Sequence, residues 1–193
     1  MDAANGTFRT PKEALFFALN FGKQAHHPLS ALSRLMRDQP LGKGVGLVGL
    51  DGAAQAGFIM AHLARLDQQN HYGACALVAR CTHPRRACDC GQPCCSKSRP
   101  SEVWCEAVAE LDAFACQQLG TGLSNRRLRR SIVEKHFGLD VSVEKIAHDC
   151  GIHRATASRH AGAIRKGLRE LEARAWEAWD ISIAEAGMLL EAA

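Results

Sequence analysis

Apolar residues along this chain recur at helical intervals far more than at alternate positions. Thr10-Pro11-Lys12-Glu13 sets a capping threonine before proline at the first helical position and glutamate at the third, a pattern that opens helices. Leu15, Phe16, Phe17 and Leu19 then form the apolar side of a short amphipathic helix that Gly22 would end. Leu29, Leu32, Leu35 and Met36 repeat at the same spacing up to Pro40, and the glycine-rich stretch 42–52 reads as a linker. Ala53 to Leu66 is a further helix, with Phe58, Ile59, Leu63 and Leu66 along one side, and His71 to Arg80 another. Ser101 can cap a helix carrying Val103, Val108, Leu111, Phe114 and Leu119 as far as Gly120. No segment alternates with period two, so an all-α helical bundle is expected. Residues 81–100 hold three prolines and no apolar period, and read as an inserted loop.

The pattern from Val143 to Gly162 predicts a helix-turn-helix. Ile146 and Ala147 face the core of a first helix, Cys150 closes its last turn, and Gly151 follows where a tight turn needs positive φ. Ile152 packs back, and Ala157 and Ile164 supply the buried side of the second helix. That leaves His153, Arg154, Thr156, Ser158, Arg159 and His160 toward solvent, side chains of the types that reach base edges and phosphates. His153 is a poorer N-cap than serine or threonine, and Gly162 and Gly167 each weaken the later helix by about 1 kcal/mol, so a bend or fraying is expected there. Upstream, Leu128, Ile132, Val133 and Phe137 form a supporting helix ending at Gly138. Arg126, Arg127, Arg129 and Arg130 crowd its start. Cations there oppose the helix dipole, which suggests that they serve an outside anion such as phosphate.

Charge sharpens this picture. The total over 193 residues is only +4, but residues 124–169 carry +7 and residues 170–193 carry −5. An apolar content of 47% and a charged content of 23% exclude a disordered chain. No apolar run approaches the roughly 18–20 residues that cross a bilayer. The opening MDAANGTFRTPKE lacks the basic and apolar regions of a secretory leader, so a cytoplasmic protein without a membrane is expected.

Five of nine cysteines, Cys81, Cys88, Cys90, Cys94 and Cys95, lie close together. Without a leader a disulfide framework has little support, and clustered thiols point to metal. Cys88, Cys90, Cys94 and Cys95 are the expected ligands of a structural Zn2+ that staples the loop. Both thiols of an adjacent pair on one ion would strain the backbone, which leaves Cys81 or His83 as a substitute for one of them. Cys75, Cys105, Cys116 and Cys150 fall at helical core positions and read as small buried hydrophobes, and Trp104 as packing the zinc loop on its helix. The remaining histidines, His62, His71, His136 and His148 among them, receive no role.

Two other chemistries fit less well. Gly44-Val45-Gly46-Leu47-Val48-Gly49 matches GxGxxG, but neither a strand before it nor a βαβ alternation after it supplies the context that nucleotide binding requires. A zinc enzyme needs an open site and a base, for which Asp89 alone is thin support. The chain is therefore read as a non-enzyme.

The helix-turn-helix with its upstream helix, Leu123 through Leu171, resembles region 4 of bacterial sigma factors. Leu50-Asp51-Gly52-Ala53-Ala54-Gln55-Ala56-Gly57, the Cys88–Cys95 cluster, Trp104, Leu128-Arg129-Arg130 and His136-Phe137-Gly138 together resemble the late-gene antitermination proteins of the Q type, found in lambdoid phages and prophages. The resemblance covers roughly residues 50–170, and it implies a glycine after Cys-Cys-Ser where this chain has Lys97. It also implies a transcription factor that binds double-stranded DNA near a late promoter, joins RNA polymerase at a sigma-dependent pause and suppresses termination. His153, Arg154, Thr156, Ser158 and Arg159 would read the site, with Arg126, Arg127 and Arg130 on phosphates. The N-terminal helices and the acidic tail with Trp176 and Trp179 would be free for polymerase or for a second copy in a homodimer. The other reading is a conventional repressor or activator. The expected organisation is N-terminal helices and linker in 1–50, a helical domain with the Cys-rich loop in 51–120, the DNA-binding domain in 121–170 and a tail helix in 171–193.

Overall fold

The computed structural model describes residues 7–25, 50–88, 90, 92, 96–119 and 125–190. The helix expected over 29–36, the GxGxxG stretch, and Asp89, Cys94 and Cys95 lie outside these residues. The described residues are mostly helical, as α1 (Pro11–Ala25), α2 (Leu50–Gln69), α3 (His71–Cys81), α4 (Glu102–Gln117), α5 (Arg126–His136), α6 (Val143–Asp149) and α7 (Arg154–Glu185). Between α3 and α4 the chain forms a hairpin instead of the plain loop expected: β1 (Arg85–Ala87) pairs antiparallel with β2 (Ser98–Pro100), with Arg86 opposite Arg99. Three-residue strands are too short for period-two patterning to show. Lys97, just before β2, holds φ at 56°, the left-handed conformation that glycine adopts most easily.

The chain divides into two compact units, one from Met1–Gln68 with Glu177–Ala193 and the other from Gln69–Trp176. This division differs from the expected one: α6 and the start of α7 share a unit with α3 and α4, and α7 continues past residue 170 as a single helix. In the first unit Thr10 caps α1 by accepting from the Glu13 N–H at 3.2 Å, while the Glu13 carboxylate accepts from the Arg9 N–H. The helix runs beyond Gly22, and Phe16 and Phe58, expected on apolar faces, are exposed. Trp179 is fully buried, as are Leu15, Ile59 and Ile183, and its indole N–H donates to the Pro11 carbonyl at 2.9 Å. It belongs to a core and is not a free tail residue. His62, given no role from sequence, is buried on α2 with Nδ1 2.8 Å from the Ser182 hydroxyl; burial, then the Arg65 charge, lowers its pKa.

In the second unit one core joins all the helices: Ala76 and Ala79 of α3, Val108 and Leu111 of α4, Leu128 and Ile132 of α5, Ile146 and Ala147 of α6, and Ala157, Ile164 and Leu168 of α7. Trp104 is buried in this core, and its indole N–H donates to the Phe137 carbonyl at the end of α5, so it packs on the helical body. Helix α7 carries both Gly162 and Gly167 without a break. At Gly167 a Cβ would meet the Leu119 side chain at 2.2 Å, so the residue is small because another side chain fills its place.

Candidate nucleic-acid interface

Three helices carry the residues expected to meet nucleic acid. Asn125 caps α5 by accepting from the Leu128 N–H at 3.0 Å, and Ser142 caps α6 by accepting from the Lys145 N–H at 3.0 Å. Gly151 takes φ +64° after α6; its N–H donates to the His148 carbonyl, and the Ile152 N–H donates back to the Ala147 carbonyl at 2.9 Å. Those two bonds are a Schellman stop, and Gly138 ends α5 the same way at φ +109°. His153 then begins α7, with its Nδ1 accepting from the Ala155 N–H at 3.3 Å and its carbonyl from the Ala157 N–H. The imidazole supplies the cap that a serine would.

The start of α7 turns Ala157, Ala161 and Ile164 inward and leaves His153, Arg154, Ser158 and Arg159 exposed, with Thr156 and His160 half-buried. Arg154 lies 3.3 Å from Glu144 of α6, both of them largely exposed. The same outward stripe continues through Gly162, Lys166 and Arg169, all exposed. Lys166 and Arg169 lie beyond the solvent-facing residues expected up to His160; Lys166 stands four residues after Gly162 and Arg169 three after Lys166, a helical spacing that was the available signal.

The arginines of α5 do not act as a group. Arg129, counted from sequence among those facing an outside anion, is buried: its Nε donates to Asp112 Oδ1 at 2.7 Å and its Nη2 to Oδ2 at 3.3 Å. Its side chain is 8% exposed against 78% for Arg126, which lies 3.7 Å from the same carboxylate. The hydrogen bond that Arg129 donates to Asp112 outweighs burial and holds the Arg129 pKa above its ordinary value. Arg130 pairs with Glu134 one turn on at 2.9 Å and is half-buried, and Arg127 is exposed. Of the three arginines expected on phosphates, Arg127 and Arg126 are exposed, Arg126 with Asp112 as a distant partner, while Arg130 is held by Glu134.

A second, partly buried network, unseen in sequence, joins three helices. Arg80 donates to Glu172 at 2.6 Å and to the His136 carbonyl at 3.1 Å, His136 Nε2 lies 2.9 Å from the same Glu172 oxygen, and Arg80 stacks over Phe137. Burial acts to raise the Glu172 pKa, but the hydrogen bonds from His136 and Arg80 outweigh it and the net shift is downward.

The expected zinc ligands are described only in part. Cys88, half-buried, follows β1 directly, and its N–H donates to the Lys97 carbonyl at 3.0 Å, while Cys90 is exposed. Of the substitutes, Cys81 is buried at the end of α3 and His83 is exposed. Cys116, expected in the core, is exposed, and Cys105 and Cys150 are half-buried. Among the described residues, Asp67, His71 and Cys75, spaced four apart along the chain, could together hold a metal ion. No helix of the described residues is long and apolar enough to cross a membrane. No protein-family model matches the chain, and no curated protein matches it.

Proposed function

We propose that this chain is a sequence-specific double-stranded DNA-binding protein that acts as a transcription antitermination factor, using α6 and α7 as a sigma region 4-like helix-turn-helix. The observation that carries the reading is the exposed Arg154, Ser158 and Arg159 at the start of α7, beyond the glycine turn. Arg154 and Arg159 contact base edges in the major groove, each adding about 1–3 kcal/mol of discrimination when bidentate to guanine. His153, Thr156 and Ser158 add contacts to bases or phosphates, and Arg126, Arg127, Arg130, Lys166 and Arg169 meet the backbone. The antitermination step, on RNA polymerase with sigma factor in the nucleoid of a bacterial host, rests on the resemblance to Q-type proteins.

A structural Zn2+ held by Cys88, Cys90, Cys94 and Cys95, with Cys81 or His83 as replacement, belongs to the same reading. The hairpin supports it by bringing Cys88 beside Lys97, so that the thiol-rich segment is closed at its base. Duplexes selected from a random pool by the purified chain should share a motif, and Arg159→Ala should lose that preference. Run-off transcription from a promoter bearing the motif, past a terminator, then separates antitermination from simple repression or activation. Read-through at baseline would leave the repressor or activator reading in place, and no enrichment of any duplex would overturn both.

A further inference from the structure

The hairpin between α3 and α4 carries a basic face of its own. From Thr82 to Ser101 the sequence holds Arg85, Arg86, Lys97 and Arg99 against a single acid, Asp89. The register sets Arg86 directly opposite Arg99, so the two side chains leave the same face of the ribbon. Like charges in that position oppose pairing of the strands. The ladder closes around them all the same: the Ser101 N–H donates to the Pro84 carbonyl at 2.9 Å on one side, and the Cys88 N–H to the Lys97 carbonyl at 3.0 Å on the other. We propose that this face, with Arg86 and Arg99 side by side, binds the phosphate backbone of duplex DNA as a contact additional to the helix-turn-helix. The proposal rests on the reading of this chain as a DNA-binding protein and adds a surface that reads no sequence.

Both arginines are placed for an outside anion. Arg99 is exposed and forms no ion pair among the described residues. Arg86 gives one nitrogen, Nη2, to the Glu102 carboxylate at 2.7 Å, but that carboxylate is 74% exposed, and a pair so open to water is weak. Arg86 Nε has no hydrogen-bond partner among the described residues, so the guanidinium is under-satisfied where it stands. Among the described residues no carboxylate pairs with both arginines, as Asp112 does with Arg126 and Arg129. Arg85 differs: its Nε donates to the Ser98 hydroxyl at 2.9 Å and its Nη2 to the Ser98 carbonyl at 3.2 Å, which fastens it along the ribbon.

A guanidinium presents its N–H groups as a planar fork that suits phosphate oxygens, so two arginines on one face match one phosphate or two neighbours on a strand. A two-stranded ribbon also has the width to lie along a duplex groove. The root of this ribbon is anchored: Arg80, at the end of α3, donates to Glu172 of α7 at 2.6 Å, and the hairpin follows directly. From His153 to Glu172 a helix spans about 28 Å at roughly 1.5 Å per residue, so the root stands well away from the first turn of α7. The hairpin therefore meets backbone flanking the base pairs that α7 reads.

The test uses the full chain and a fluorescent duplex of random sequence, about 40 base pairs long, titrated by anisotropy over a series of salt concentrations. Arg86→Gln/Arg99→Gln should lower the slope of log affinity on log salt by about 2, and the affinity in roughly 0.1 M salt by at least about tenfold. Arg99→Gln alone should lower the slope by about 1. Arg86→Lys/Arg99→Lys keeps both charges and should keep the parent slope. Arg154→Ala/Arg159→Ala addresses the helix-turn-helix instead, and the hairpin substitutions should lower the slope in that background too, so failure of one contact is told from failure of the other. A parent-like slope in the double glutamine variant would overturn the proposal. So would a loss confined to single-stranded RNA of the same length, or a loss seen only where bound Zn2+, counted in parallel, has gone. Because Arg99 is exposed, its replacement leaves the core intact and decides the matter even if the double variant fails to fold.

Discussion

The starts of α5 and α7 both carry arginines, in the same compact unit, and differ in what those arginines face. At α5, Asp112 of α4 sits under the first turn, takes Arg129 into a buried two-point pair and draws Arg126 toward it, while Glu134 holds Arg130. At α7, the inward positions are alanines and isoleucine, and the arginines stand in solvent with Glu144 as a loose partner of Arg154. One cluster is in large part architecture and the other is surface. A run of basic residues therefore says little about a partner until the acids packed beneath it are known.

The sharpest way to break this contrast is Asp112→Ala. It leaves the Arg129 guanidinium buried without its carboxylate and should cost about 3–5 kcal/mol of stability, read by chemical denaturation. A loss below about 0.5 kcal/mol, the size of an ordinary surface change, would mean that the pair is not structural. Next in size, Arg154→Ala and Arg159→Ala should each weaken binding to a selected duplex by about 1–3 kcal/mol while leaving the melting temperature in place. Arg127→Ala should instead weaken all duplexes alike and lower the salt slope by about 1. Unchanged gel-shift affinity for both α7 variants would remove that surface from the site.

Gly151→Ala probes the turn that orients α7. Open space surrounds the missing Cβ, so the cost is backbone strain alone, about 1–2 kcal/mol in thermal denaturation. The smallest effect expected is the acid response of Glu172. Its folded pKa lies below the ordinary 4.5, so its stabilisation is complete above that value and is lost as pH falls through the folded value. Arg80, about a third exposed, is partly screened by solvent, which keeps the effect modest. Glu172→Gln should flatten that limb of the stability profile, and an identical acid limb in both proteins would show that the network carries no linkage.

Much of the helical framework was legible because capping and periodicity are local. Thr10 with Glu13, the Gly151 turn, and the inward Ile146, Ala147, Ala157 and Ile164 all stand where the sequence places them. What failed was long-range. Nothing adjacent to Arg129 reveals that Asp112, seventeen positions earlier, will neutralise it, and nothing near Trp179 announces the Pro11 carbonyl. The acidic balance after residue 170 suggested a separate tail, but buried Leu171, Ala175, Trp179 and Ile183 continue one helix at four-residue steps.

The hairpin between α3 and α4 has a consequence for how this chain can vary. With β1 and β2 paired, the ends of segment 88–97 are already brought together, so most of the entropy of closing it is met by the ladder. Each doubling of such a segment costs only about 0.6 kcal/mol. Its length can therefore drift while the helices on either side keep their register.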